Sequence, residues 1–273
     1  MRKPVFAAAL LVALVLATPV LSHDFWLIPS SFHLAPGSEL TVHGQTSSDF
    51  PTSLSAVTKD RIASAQLITP SGQQDVADLG VSGTSLRLGM RVREVGQAVV
   101  AVAIHPRSIP ESPESFRRYL TLEGAPEALA RYEREGLLPT DSITRRYAKY
   151  AKSLVEIGSG GPRVFDRTVE HPLEFVPVSD PHAAGAGGSL RFRMLFLGEP
   201  VANARGHISV AASSGAESAH DHAEFETDAR GEFAVSLGSD GIWNVRALHI
   251  VPAPAGSGAD WDVHWATFVW SVE

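Results

Sequence analysis

His23 has the most distinctive chemistry in the sequence, because the residues before it have the layout of an export signal. Residues 1–22 combine a basic start with an apolar run, residues 5–17, that is too short to cross a bilayer. Val20 and Ser22 fit the positions that signal peptidase reads, so cleavage would leave His23 at the mature N-terminus. A terminal histidine offers an α-amine and an imidazole on one residue, which together chelate copper, nickel or zinc.

The residues that follow His23 favour a packed N-terminus. The next five residues, 24–28, include Phe25, Trp26 and Leu27. Large apolar side chains this close to a chain end indicate that the end is held in the fold and is not frayed. The sequence leaves the alternative open that His23 is merely the first ordered residue of a strand.

A second group of histidines is predicted at the end of a hairpin. His249 ends the apolar face of a predicted strand, residues 243–249. In the register that we expect, His249 lies opposite Asp262 and Ala247 lies opposite His264, which gathers the polar side chains at one end of the sheet. A shift of one residue would replace Asp262 and His264 by tryptophans, and a hydrogen-bonded histidine at a strand end is a further alternative.

We predict that His23, His249 and His264 are ligands of a divalent transition metal, Ni²⁺, Co²⁺ or Cu²⁺. The chain has 11 histidines, no cysteine and 3 methionines, so ligation by nitrogen and oxygen is expected. We expect no specific site at His220 and His222, which lie in a loose segment rich in small residues.

No catalytic residue is predicted. The sequence has no Gly-x-Ser-x-Gly, no His-Glu-x-x-His and no phosphate-binding glycine loop. His43 is expected on a solvent face and His105 at the end of a buried strand, both with structural roles. The sequence therefore favours a protein without turnover of its own.

Composition excludes several classes of protein. The absence of cysteine excludes disulfides, thiolate metal sites and a lipid anchor. A formal net charge of −7 makes nucleic acids and anionic membranes poor partners. With 44% hydrophobic residues and no later segment long enough to span a bilayer, the mature chain is expected to be globular, without a membrane span.

The first part of the chain, residues 23–178, is predicted to be an antiparallel β-sandwich. Several segments between residues 38 and 105 alternate apolar and polar side chains. Apolar residues then recur at helical spacing, which predicts a helical insertion over about residues 112–157. Four basic residues in the insertion are expected on a solvated helix face, with an anion site as the alternative: Arg145, Arg146, Lys149 and Lys152.

The second part, residues 189–273, is predicted to be a smaller β-sandwich domain. A linker of small residues, about 179–188, separates it from the first part. Alternating segments from residue 190 onward indicate a series of short strands. The fold class is therefore mainly β, with two sandwich domains.

The chain resembles exported bacterial proteins that are assigned to the periplasmic part of cobalt or nickel uptake (NikM-like). The resemblance covers essentially the whole mature chain and is carried by five segments: His23 to Leu27, residues 116–124, Arg146 to Lys152, residues 198–231, and Arg246 to Ala266. It implies export to the periplasm, two β domains, a bound divalent metal and a metal transporter in the membrane as a partner. The second half also resembles the transthyretin-like domains of other exported proteins.

Three functions follow as hypotheses. The first is a periplasmic accessory protein that binds nickel, cobalt or another divalent metal during uptake. The second is a copper oxidase or oxygenase, because an N-terminal histidine with a second histidine on a β-sandwich can hold copper. The third is a structural or binding module without a metal.

Overall fold

The computed structural model describes residues 24–123, 125–136, 141–212 and 221–273. His23, His220 and the predicted signal, residues 1–22, lie outside the described residues. Within that part of the chain, no helix is long and apolar enough to cross a bilayer.

The described elements are strands for the most part, with two α-helices near the middle of the chain. In the first half they are β1 (Asp24–Pro29), β2 (His33–Leu34), β3 (Glu39–Ser47), β4 (Ile62–Thr69), β5 (Gly72–Asp75), β6 (Asp78–Ser82), β7 (Ser85–Arg91), β8 (Gly96–Glu111), α1 (Pro113–Leu122) and α2 (Pro126–Arg134). In the second half they are β9 (Ile143–Ile157), β10 (Leu173–Pro177), β11 (Ser189–Phe196), β12 (Glu199–Pro200), β13 (Arg205–Ala211), β14 (Asp221–Glu226), β15 (Glu232–Ser236), β16 (Gly241–Pro252) and β17 (Trp261–Val272). The prediction of a mainly β fold is confirmed.

A large central sheet is covered by a smaller sheet on each face. The central sheet has the order β14-β13-β16-β17-β9-β8-β4-β5, with β2 paired to β9. A sheet of β1, β3, β7 and β6 packs on one face through residues such as Leu27 and Leu88. The strands β10, β11 and β15 pack on the other face through residues such as Phe175 and Phe192. Because each interface is a layer of buried apolar side chains, the prediction of β-sandwich packing is also confirmed.

The helical prediction was correct only for its first part. Helices α1 and α2 lie inside residues 112–157, but Ile143–Ile157 is strand β9. The side chains from Ala148 to Ile157 are buried without alternation, since β9 is covered on both faces. A strand buried on both sides loses its period of two, and its apolar residues then match a helical spacing by chance.

The expected helix face of basic residues is therefore wrong as well. Arg145, Lys149 and Lys152 are all buried. Lys152 forms an ion pair of 2.8 Å with Glu174, which is buried with it. These cations belong to the interior of the sandwich and not to a solvated surface.

The two predicted domains contribute strands to the same sheet. Strand β17 pairs in parallel with β9, from Trp261 opposite Arg145 to Val269 opposite Ser153. The predicted linker is also held in place: Asp180 accepts a hydrogen bond of 2.6 Å from Gln97 of β8. Independent folding of residues 189–273, and their transthyretin-like character, stay predictions.

Helices α1 and α2 cover one end of the hairpin β16–β17. Ser112 caps α1 by accepting a hydrogen bond of 3.1 Å from the backbone N–H of Ser115. Phe116 and Tyr132 bring the two helices onto Trp261. This packing fixes the last turn of α1, and with it Glu123, above the central sheet.

Candidate functional site

The hairpin β16–β17 places His249 directly opposite His264. This register differs by two residues from the predicted one, because the last pair before the turn is Pro252 with Trp261 and the turn is correspondingly longer than expected. A shift of two residues leaves every side chain on its face. The structure therefore brings His249 and His264 together, while Asp262 lies opposite Val251.

The histidine pair has aromatic surroundings. The ring of Phe196 lies 4.5 Å from His249 and 5.0 Å from His264, measured between ring centroids. The Tyr150 hydroxyl lies 3.2 Å from Nδ1 of His264. Burial lowers the pKa of His264, so its neutral, metal-binding form is favoured.

Asp262 is engaged by an arginine and does not act as a ligand beside the two histidines. Both of its carboxylate oxygens accept hydrogen bonds from Arg146, at 2.7 Å and 2.6 Å. Nowhere in the described part of the chain do three His, Asp or Glu side chains form a group that could hold a metal ion. In the described residues, the hairpin therefore supplies two imidazoles, those of His249 and His264, as potential metal ligands.

The start of β1 lies on the other face of the central sheet. Asp24, which follows His23, is 3% exposed and forms an ion pair of 3.1 Å with Arg246. Because side chains alternate along a strand, Arg246 and His249 project to opposite faces of β16. The core contacts agree, since Ala247 packs in one apolar layer and Leu248 in another. The structure thus separates Asp24 from His249.

A group of titratable side chains surrounds the start of β1, and we name Asp24, Glu123, Lys149, His207 and Arg246 the N-terminal polar site. His207 pairs with Arg246 across β13 and β16, so both side chains share a face. Glu123 comes from the end of α1 and Lys149 from β9. The five residues come from five separate elements, and only the fold brings them together.

The charges in this site perturb one another. Burial raises the pKa of Glu123 to about 7, and the Asp24 carboxylate acts in the same direction. Arg246 and His207 oppose that shift. Burial lowers the pKa of Lys149 to about 8, although Asp24 and Glu123 favour its charged form. Perturbed titratable groups gathered in one place are characteristic of functional sites.

The chain start is anchored in this site by its backbone as well as by Asp24. Thr267 of β17 donates a hydrogen bond of 2.7 Å to the carbonyl oxygen of Phe25. Phe25 and Trp26 are both buried, so the predicted packed terminus is confirmed as far as Asp24. His23 is therefore covalently tied to a buried, fixed residue.

Sequence reasoning missed Glu123 and His207. Neither residue lies in a motif whose spacing points to a ligand, and the strand pair that places His207 beside Arg246 joins distant segments. The available signal was the resemblance, whose segments include Glu123 and Arg246 together with His23.

The chain belongs to a family of proteins that share a domain of unknown function (DUF4198), whose model matches residues 20–251. No curated protein matches the chain.

The solved structures that are similar to the chain at low identity include the following three. A Salmonella α2-macroglobulin reacted with methylamine is 12% identical, with 90% of this chain and 15% of that one covered and a TM-score of 0.24. A DUF4785 family protein from Legionella pneumophila is 9% identical, with coverages of 81% and 50% and a TM-score of 0.23. The Escherichia coli adhesin FdeC is 16% identical, with coverages of 90% and 64% and a TM-score of 0.25. The chain thus spans less than two thirds of each of these proteins.

Proposed function

We propose that the protein is exported to the periplasm and binds a divalent transition metal, Ni²⁺, Co²⁺ or Cu²⁺, as an accessory to metal uptake. The observation that carries this proposal is the burial of Asp24 in the N-terminal polar site. A signal peptide cleaved before His23 would leave an amine and an imidazole next to that fixed residue. The resemblance to NikM-like proteins supports nickel or cobalt, with a membrane transporter as the partner.

The donor atoms near Asp24 suit such a metal. His207 offers an imidazole and Glu123 a carboxylate, and both lie on the same side of the central sheet as Asp24. Nitrogen and oxygen ligands suit Ni²⁺, Co²⁺ and Cu²⁺. We therefore place the primary metal at His23, with His207 and Glu123 as candidate additional donors, and keep His249 and His264 as a separate pair.

A copper oxidase is the second candidate function. His207 is the observation that favours it, because a terminal histidine and a second histidine on one face can hold copper. The accessory protein would bind metal without consuming oxygen, whereas the oxidase would consume oxygen in the presence of ascorbate. Oxygen uptake by the copper-loaded protein separates the two functions.

The experiment uses untagged protein purified from the periplasm, so that the N-terminus is the natural one. Isothermal titration with each metal should give one strong site. His23→Ala should weaken it about a hundredfold or more, because the imidazole is lost and the remaining α-amine no longer forms a chelate with it. A variant with one glycine inserted before His23 removes the α-amine from that residue and keeps the imidazole, and it should also bind weakly.

The matched control is His43→Ala, which removes an imidazole from the partly exposed face of β3. Its affinity should equal that of the wild type. Wild-type affinity in both the His23→Ala protein and the glycine insertion would contradict the proposed site, and a mature chain that begins elsewhere would remove its basis.

A further inference from the structure

A polar cavity of about 360 Å³ lies beside Lys149, between the segment 55–61 and strands β8 and β9. We propose that this cavity binds a small organic anion that carries two or more carboxylates. Three cationic side chains line it: Arg61, Arg107 and Lys149. The cavity shares Lys149 with the N-terminal polar site, but its occupation requires no metal.

A β-bulge places Arg107 on the cavity face. Ile104 pairs with Lys149 and Arg107 pairs with Tyr147, so β8 has one more residue than β9 in this interval. Without the extra residue, Arg107 and Ile104 would project to opposite faces. Since directly paired residues share a face, the bulge turns Arg107 toward the same side as Tyr147 and Lys149.

The same bulge holds Arg61. Nη2 of Arg61 donates a hydrogen bond of 2.9 Å to the carbonyl oxygen of His105, which lies inside the bulge. A guanidinium has five N–H donors, so this bond leaves most of its donor capacity for other acceptors. The bulge therefore orients two guanidinium groups on one cavity.

Lys149 forms the floor of the cavity. It is 8% exposed, and its Nζ lies 5.7 Å from the centroid of the Tyr147 ring. Asp60, the carboxylate among the described lining residues, is exposed at the rim. The lining is consequently rich in positive charge, and that charge is partly removed from solvent.

The lining suits an organic anion better than an inorganic one. Guanidinium groups bind carboxylates through paired hydrogen bonds, and the hydroxyls of Thr46 and Ser55 add further donors. The side chains of Val57 and Ile104 offer apolar surface for a carbon skeleton. The volume lies at the lower end of the range of small-molecule pockets and exceeds what one phosphate fills.

The test is isothermal titration of the metal-free mature protein with tricarballylate, a tricarboxylate. We expect one saturable site per chain. Arg107→Gln should weaken binding about tenfold, because it removes a charge-assisted pair of hydrogen bonds. Arg107 is exposed, so this variant is expected to fold, and Arg61→Gln should have a similar effect.

The matched control is Arg93→Gln, which removes an exposed arginine from the loop between β7 and β8, before the opposite end of β8. Its affinity should stay within about twofold of the wild type. An absence of binding by the wild type, equal binding by the Arg107→Gln protein, or tighter binding of phosphate than of tricarballylate would each overturn the proposal. Since the titration contains no metal, its outcome is independent of the site proposed at His23.

Discussion

The Asp24 carboxylate lies 3.1 Å from Nη1 of Arg246, and the side chains of Asp24 and Arg246 are 4% and 15% exposed. This ion pair joins the first described residue to the strand that carries His249, but on the opposite face. It fixes the position from which His23 extends. The metal site proposed at His23 therefore depends on this ion pair.

Arg246→Leu should destabilise the protein by about 3–5 kcal/mol, because it removes the guanidinium that is paired with the buried Asp24 carboxylate. Hydrogen exchange should rise in β1, and metal affinity should fall with it. Chemical denaturation and exchange measured on the same sample check both effects.

The control for this prediction is Arg87→Gln. Arg87 pairs with Asp78 on a more exposed surface, where ion pairs are worth about 0–1 kcal/mol. Equal losses of stability in the two variants would contradict the importance of the Asp24–Arg246 pair.

The sequence was sufficient to predict the fold class, but not the order and pairing of the strands. Alternation along segments such as β7 identified strands, because those strands have one exposed face. Strand β9 escaped recognition because both of its faces are buried. Its pairing with β17 also joins residues far apart in sequence, and no local pattern encodes such a contact.

The candidate site could be predicted only in part. Periodicity placed His249 and His264 on one face, and that conclusion survived an error of two residues in the register. The opposite placement of Asp24 depends on which face of the central sheet β1 covers. Tertiary contacts decide which face β1 covers, and they also bring Glu123 and His207 together. The sequence pattern carries no signal for either arrangement.

The separation of the site proposed at His23 from the pair His249 and His264 predicts that mutations in the two places affect metal binding independently. His264→Ala should remove a weak binding event that depends on the pair His249 and His264, and leave strong binding at the proposed His23 site unchanged. Titration of His23→Ala, His264→Ala and the double variant checks this, since the two losses should add. If His264→Ala alone abolished strong binding, one shared site would be correct instead.

The stability of the protein should depend strongly on both partners of the buried ion pair between Lys152 and Glu174. Lys152→Met should cost about 3–5 kcal/mol of stability, because Glu174 would keep a buried charge without its cation. The double variant Lys152→Met/Glu174→Gln should recover much of the loss, since the amide oxygen can still accept the hydrogen bond from the backbone N–H of Val169. A double-mutant cycle in urea measures the coupling, and simple additivity would contradict it.

The lowered pKa of His171 predicts that the protein loses stability in acid. Burial lowers its pKa to about 3, and the nearby Lys152 acts in the same direction, so the unfolded chain binds a proton more readily than the folded one. Stability should therefore fall as the pH drops from about 6.5 toward 3, by at most about 1.4 kcal/mol per pH unit from this residue. His171→Phe keeps a ring and removes the titration, so its unfolding free energy should depend less on pH over that window. His105→Phe, at an exposed position, should keep the wild-type dependence, and identical pH profiles for all three proteins would refute the role of His171.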